Sequence, residues 1–211
     1  MSHVALLGDS ILDNGLYVPG GSPLIEQLRA RLPRGWKATL VAVDGAVASS
    51  ILRQIPRIPA DATHLVISAG GNDALENSGI LRDVELRAPA AFQELAEVQD
   101  QFQKSYREML RTVLALRKPT TLCTIYDSIP EMPRAALAAL AVFNDVIVRE
   151  AVRHGLPVLD LRLLCDEARD YSAISPIEPS EIGGVKIVQG IIEIVTAHNF
   201  ASGRWVVYGK S

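Results

Sequence analysis

Three short runs of small and polar residues carry side chains whose types and spacing could do acyl-transfer chemistry. They are Gly8-Asp9-Ser10, closed by Gly15; Asp44-Gly45; and Gly70-Gly71-Asn72-Asp73. A serine nucleophile needs donors aimed at the oxyanion of a tetrahedral intermediate, commonly backbone N–H groups and an amide side chain. The Ser10 N–H, the Gly45 N–H and the Asn72 side chain fit that need, and glycine at 45 allows a substrate to approach the backbone closely. Each run read alone is equally an ordinary turn, with Gly45 as a turn residue and Asn72 as a capping or left-handed residue. A fourth loop, Tyr126-Asp127-Ser128-Ile129-Pro130, has the same polar character.

The elements that must position these residues decide between the two readings. Apolar runs at Val4–Leu7, Thr39–Val43, Leu65–Ser68, Thr121–Ile125 and Val158–Leu161 have the length and the glycine- or proline-rich bounds of buried strands. Between them lie helical patterns. One starts after Ser22-Pro23 with Leu24, Ile25, Leu28 and Leu32 on one face; a short stretch runs through Ile51, Leu52 and Ile55. A long amphipathic helix is predicted from Pro89 to Leu116, an alanine-rich one from Pro133 to His154 closed by Gly155, and a last one from Ser180 onward. Strands alternating with helices predict an α/β fold built on a parallel five-stranded sheet, whose strand C-termini share one ligand-binding edge. All four polar loops follow strands, so they converge on that edge. The irregular Glu76–Pro89 segment is a candidate lid, and the tail Arg204–Tyr208 reads as an edge strand or a docking segment.

The 211 residues suit one domain, 48% of them apolar and 21% charged. A net charge of −3 with interspersed signs argues against nucleic-acid binding. No run is long enough for a membrane span, and the start lacks the basic-then-apolar pattern of a signal peptide, so a cytoplasmic protein is expected. Cys123 and Cys165 read as buried core residues; without a CxxC pair, neither a disulfide framework nor a zinc site is indicated, and no metal or other cofactor is implied. The oligomeric state, monomer or homo-oligomer, is left open.

The three ordered blocks resemble those of the SGNH or GDSL hydrolases: Gly8-Asp9-Ser10 with Gly15 is similar to the first, Asp44-Gly45 to the second and Gly70-Gly71-Asn72-Asp73 to the third. The resemblance implies a flavodoxin-like α/β/α sandwich and hydrolysis of small-molecule esters. Ser10 would be the nucleophile, and Ser10, Gly45 and Asn72 the oxyanion hole. The final block departs from the pattern. Where the family has an aspartate, two residues and a histidine, this chain has Ser175-Pro176-Ile177-Glu178, so Ser175 replaces the aspartate and Glu178 the histidine.

None of the four histidines is placed to substitute. His3 and His64 precede strands, while His154 and His198 end helices running away from the catalytic edge, and all four read as surface, strand-end or helix-end residues. Two readings of Glu178 follow. In one it is the base, weaker than histidine at an ordinary pKa of about 4.3 unless burial raises it, with the Ser175 hydroxyl donating to it. In the other the protein binds an acyl, acetyl or carbohydrate ligand without turnover, and Glu178 is an acceptor or a helix cap. Asp9 is expected to brace the serine loop and Asp73 to support Asn72. Arg53 reads as an exposed arginine, Tyr126 and Asp127 as candidates for the mouth of the site, and Trp205 and Tyr208 as packing or interface residues.

Overall fold

The computed structural model describes residues 2–81 and 88–210. The first strand, β1 (His3–Gly8), is buried along its whole length, which explains its continuous apolar sequence. It is followed by α1 (Leu24–Arg31), β2 (Lys37–Leu40), β3 (His64–Ser68), α2 (Gly71–Glu76) and α3 (Ala88–Leu114). Then come β4 (Thr120–Cys123), α4 (Arg134–His154), β5 (Val158–Leu159), the single turn α5 (Leu161–Leu164), α6 (Glu181–Ala197) and β6 (Val207–Tyr208). Short 3-10 helices occupy Ala48–Arg53 and Ser78–Leu81, among other connections.

The strands form one sheet in the order β2-β1-β3-β4-β5-β6, with every pairing parallel. Helices α1 and α6 pack together, and α3 packs with α4, giving the two outer layers of an α/β/α sandwich. The chain order reverses between β1 and β3, so the crevice beyond their C-termini is the topological switch point where such sheets bind ligands. Gly8 lies beside Ser68 in the register. Ser10 and Asn72 therefore leave neighbouring strands within a few residues of the same line.

Two expectations for the sheet need correction. It has six strands, because the tail returns beside β5: the Val158 N–H donates to Val206 O at 2.8 Å and the Asp160 N–H to Tyr208 O at 2.8 Å. A two-residue strand is too short to show a period in the sequence. β2 also sits two residues earlier than the apolar run suggests. The amides of Val41 and Ala42 both donate to Leu6 O at 2.8 Å, which breaks the ladder while the chain continues along β1 as far as the bond from Val43 N to Gly8 O at 3.0 Å.

The lid expected at Glu76–Pro89 falls partly on residues 82–87, outside the described residues. Before them, α2 ends at Glu76 and a 3-10 turn covers Ser78–Leu81. Among the described residues no helix is long and apolar enough to cross a membrane.

Candidate active site

β1 ends against the neighbouring strand with no room for a side chain. A Cβ on Gly8 would fall 1.8 Å from the Ser68 carbonyl oxygen, and its φ of +129° is one that L residues rarely adopt. Because β2 has already been deflected, the end of β1 is completed by a side chain. The buried Gln54 amide donates to Gly8 O and accepts from Gly8 N–H, both at 2.8 Å. A second amide does the same at the end of β4, where Asn144 clamps the N–H and C=O of Ile125 at 2.8 Å each. Both clamps hold the end of a strand in a fixed direction through both of its backbone groups.

Past Gly8, the Asp9 carbonyl accepts from Leu12 N–H and Asp13 N–H. Its carboxylate Oδ1 accepts from Ser68 Oγ at 2.8 Å and Ile11 N–H at 3.2 Å. Asp9 thus braces the serine loop, and it does so while 1% exposed. Burial is the main reason its pKa is pushed up to about 7; its hydrogen bonds oppose the shift, and the nearby Glu178 charge adds to it. Between these bonded groups, the Ser10 N–H has no intramolecular acceptor among the described residues.

Asn72 stands in the first turn of α2 and uses one amide hydrogen to donate to Ala46 O at 3.1 Å, tying the β2 loop to the β3 loop. Its second N–H stays available. Gly45, with φ +76°, is the turn residue just before Ala46, and its N–H has no partner among the described residues. Asp73 does not support Asn72 directly. Its carboxylate accepts from Ala48 N–H at 3.0 Å, so it anchors the 3-10 segment that follows Gly45.

Glu178 reaches this edge on the segment between α5 and α6, and four backbone groups there are held by hydrogen bonds. Its N–H donates to Ser175 O at 3.1 Å and its carbonyl accepts from Ser172 N–H at 2.8 Å. The preceding carbonyl, Ile177, accepts from the Tyr126 hydroxyl at 2.5 Å, and the following one, Pro179, from Asn14 Nδ2 at 3.2 Å. Asn14 is itself 1% exposed and also accepts from Leu24 N–H at 2.8 Å, so one side chain links the Ser10 loop to the Glu178 segment.

Glu178 as a residue is 5% exposed, and its Oε2 has no hydrogen-bond partner among the described residues. Burial raises its pKa, the Ser10 hydroxyl within reach lowers it, and the Asp44 charge raises it further. Ser10 and Glu178 do not make a close, well-aligned hydrogen bond, a looseness common in unliganded active sites.

Two ideas about this segment are corrected. Ser175 meets Glu178 through its main chain, as the first residue of a turn, and among the described residues its hydroxyl makes no bond to the carboxyl. Glu178 is not the cap of the last helix. Ser180 is, with its Oγ accepting from Gly183 N–H at 3.2 Å.

Asp9, Ser10, Asn72 and Glu178 share the wall of one cavity of about 450 Å³, whose remaining lining is mostly apolar. Gly45, Asp73 and Ser175 lie outside that wall. Tyr126 lines it, fully buried, whereas Asp127 does not and Arg53 is exposed.

The histidines all lie at the far edge or at helix C-termini. His3 is not a surface residue, being buried with Nδ1 2.9 Å from Asp61 and Nε2 2.8 Å from Thr39. His64 stacks on Trp36 and meets the ring of Phe200, and His198 bonds the Tyr208 hydroxyl at 3.0 Å. Trp205 is half exposed beside the edge strand. The sequence does not single out Asn14, Gln54 or Asn144: Asn14 is one more polar residue of the serine loop, Gln54 sits at the end of a short helical stretch, and Asn144 stands in the middle of the alanine-rich helix.

Solved structures share the architecture. The lipase Lip_vut3 from a goat rumen metagenome superposes with a TM-score of 0.71 at 20% identity, covering 90% of this chain and 95% of its own. Phospholipase A1 from Streptomyces albidoflavus gives 0.67 at 16% identity, covering 94% and 99%. The acetyl xylan esterase AlAXEase gives 0.67 at 16%, covering 93% and 100%. A search of curated protein sequences finds no match. A model of the GDSL-like Lipase/Acylhydrolase family matches residues 6–183, and on that extent of agreement the chain belongs to this family of acyl hydrolases.

Proposed function

We propose that the protein is a serine esterase in which Glu178 takes the place of the family's histidine. The observation that carries this reading is the meeting of Ser10 and a buried, incompletely bonded Glu178 carboxyl in the wall of a single cavity. Ser10 Oγ attacks the ester carbonyl as Glu178 accepts its proton. The oxyanion is held by the Ser10 N–H, the Gly45 N–H and the second N–H of Asn72. Glu178 then hands the proton to the departing alkoxide, and the acyl-enzyme forms. Water attacks that ester, giving its proton to Glu178, and collapse of the second intermediate returns the proton to Ser10.

Burial suits a carboxylate to this exchange. An ordinary glutamate is a poor base at neutrality; a raised pKa makes it a stronger one, and once protonated it remains far more acidic than an alcohol, so handing the proton to the departing alkoxide stays favourable. The four bonds fixing the backbone on either side of Glu178 hold the carboxyl in place without the aspartate that would orient an imidazole. The activities named for the similar structures, a lipase, a phospholipase A1 and an acetyl xylan esterase, are all ester hydrolyses and agree with the reading.

The test is hydrolysis of p-nitrophenyl esters by the wild type, Ser10→Ala and Glu178→Gln. Ser10→Ala is expected to lose turnover to background, and Glu178→Gln to lose about 10²-fold or more in kcat, the usual contribution of a positioned base. Wild-type hydrolysis that survives Ser10→Ala refutes the reading. Retention of full kcat by Glu178→Gln refutes the role of Glu178 alone.

A further inference from the structure

We infer that the space between α3 and α4 is an acyl-chain slot, and that the substrate's acyl group is a linear, uncharged chain of about eight to ten carbons. The inference deepens the esterase reading and rests on it for the bond that is cut. The slot itself rests on the geometry of the two helices.

Both helices begin at the catalytic edge and run away from it. Farther along they are in contact: the rings of Phe102 and Phe143 are 5.0 Å apart, and the Gln99 amide reaches Val142 O at 3.2 Å and Asp145 at 3.3 Å. Nearer the catalytic edge the facing positions change character. On α4 they are small, with Ala136 and Ala139 one turn apart, while α3 offers Leu95 and Val98. Alanines there leave the helices unfilled between, and this is where the cavity of about 450 Å³ lies. Phe143 closes it at the depth where the helices meet. Ser10 in the loop after β1, Asn72 in the first turn of α2 and Glu178 on the segment before α6 form polar wall at the catalytic edge, so a chain lying between the helices points its carbonyl at Ser10.

The lining selects the chemistry of the occupant. Among the described residues it contains no Lys, Arg or His, and its carboxylates are Asp9 and Glu178. Among the described residues a negatively charged acyl group would meet no counter-ion in this wall and would face the Glu178 carboxylate. A sugar would find few polar partners for its hydroxyls along the helices. An acetyl group would leave most of the apolar wall wet. At roughly 30 Å³ per water-sized group, the volume takes about fifteen such groups, which leaves room for about ten methylenes beyond the ester and a hydrolytic water. Each methylene moved from water to such a wall is expected to favour binding by about fourfold.

Two series read this on the intact chain. The first is kcat/KM for p-nitrophenyl esters from acetate to dodecanoate. The second is displacement of Nile red by linear alcohols of four to ten carbons, which requires no turnover and decides the slot. Affinity of the alcohols is expected to climb by about fourfold per carbon, and the ester series to climb in parallel and level off near ten carbons. Ala139→Phe puts a ring into the slot and is expected to flatten the alcohol series; Ala136→Leu, a smaller change that α4 tolerates easily, is expected to shorten the chain length at which it levels off.

A climbing alcohol series without ester hydrolysis supports the slot and refutes the esterase reading. Ser10-dependent hydrolysis with a flat alcohol series overturns the slot and leaves the esterase reading standing. A climb that neither variant changes also overturns it, because the alcohols then bind elsewhere.

Discussion

Replacing Asp9 by asparagine isolates the electrostatic cost of the serine loop. In the folded protein Asp9 is 1% exposed and its pKa is pushed up from 3.8 to about 7, mainly by burial. Below pH 3.8 the carboxyl is protonated in both folded and unfolded chains and contributes no pH dependence. Between 3.8 and about 7 the unfolded chain has released the proton and the folded chain retains it, so stability falls as pH rises. The slope is about 1.4 kcal/mol per pH unit, and over the whole window the loss comes to about 4 kcal/mol. Above about 7 both states are ionised and the loss stops growing.

Asparagine keeps an acceptor for Ser68 Oγ and Ile11 N–H and never ionises. Urea unfolding of wild type and Asp9→Asn from pH 4 to 8 is therefore expected to show the variant gaining on the wild type by about 4 kcal/mol across that range. Other titrations cancel in the difference. The same substitution reads on activity: Glu178 must be ionised to accept a proton, whereas an ionised Asp9 puts a negative charge beside the developing oxyanion. A bell-shaped rate profile is expected, its acid limb above the ordinary glutamate value and its alkaline limb near pH 7, with only the alkaline limb lost in Asp9→Asn. A stability difference constant to within about 1 kcal/mol from pH 4 to 8 would refute the argument, because Asp9 would then ionise alike in both states.

Asn14→Ala is expected to lower kcat more than it raises KM, since it frees the Pro179 carbonyl next to Glu178, and to cost about 1–3 kcal/mol in thermal or urea unfolding because two buried backbone groups lose their partner. Gly8→Ala is expected to destabilise by about 3 kcal/mol or more, its methyl having to displace the Ser68 carbonyl in the centre of the sheet; a change in midpoint under about 1 kcal/mol would contradict that packing.

The sequence made the sheet legible where strands are buried on both faces, because Val4–Leu7 and Leu65–Ser68 read as unbroken apolar runs. It misled at β2, where the chain stays apolar through Val43, with Val41 and Ala42 still buried, after the ladder is interrupted, and left β6 undecided, since two residues carry no period. Ser10, Gly45 and Asn72 stand out because glycine-flanked polar residues at strand ends are rare enough to notice together. Glu178 has no such local signature and was found only by its place in the family's order of blocks. The side chains that hold the Glu178 segment and the end of β1 were not legible at all. Asn14 bonds a carbonyl 165 residues away and Gln54 a strand end 46 residues away, and in both cases the partner is backbone, which has no residue type to recognise. The raised pKa of Asp9 was hidden for a related reason: it depends on burial beneath the loop rather than on a charged neighbour in sequence.

The measurement that tests the central claim most directly is the intact mass of the protein after exposure to a p-nitrophenyl alkylphosphonate, followed by peptide mapping. A nucleophilic Ser10 facing a proton acceptor displaces p-nitrophenolate and keeps the phosphonyl group. The account predicts stoichiometric addition on the peptide containing Ser10, none in Ser10→Ala, and a much slower reaction in Glu178→Gln. An unmodified wild type, or a label on any other residue, would contradict it and mark the site as one that binds without turnover.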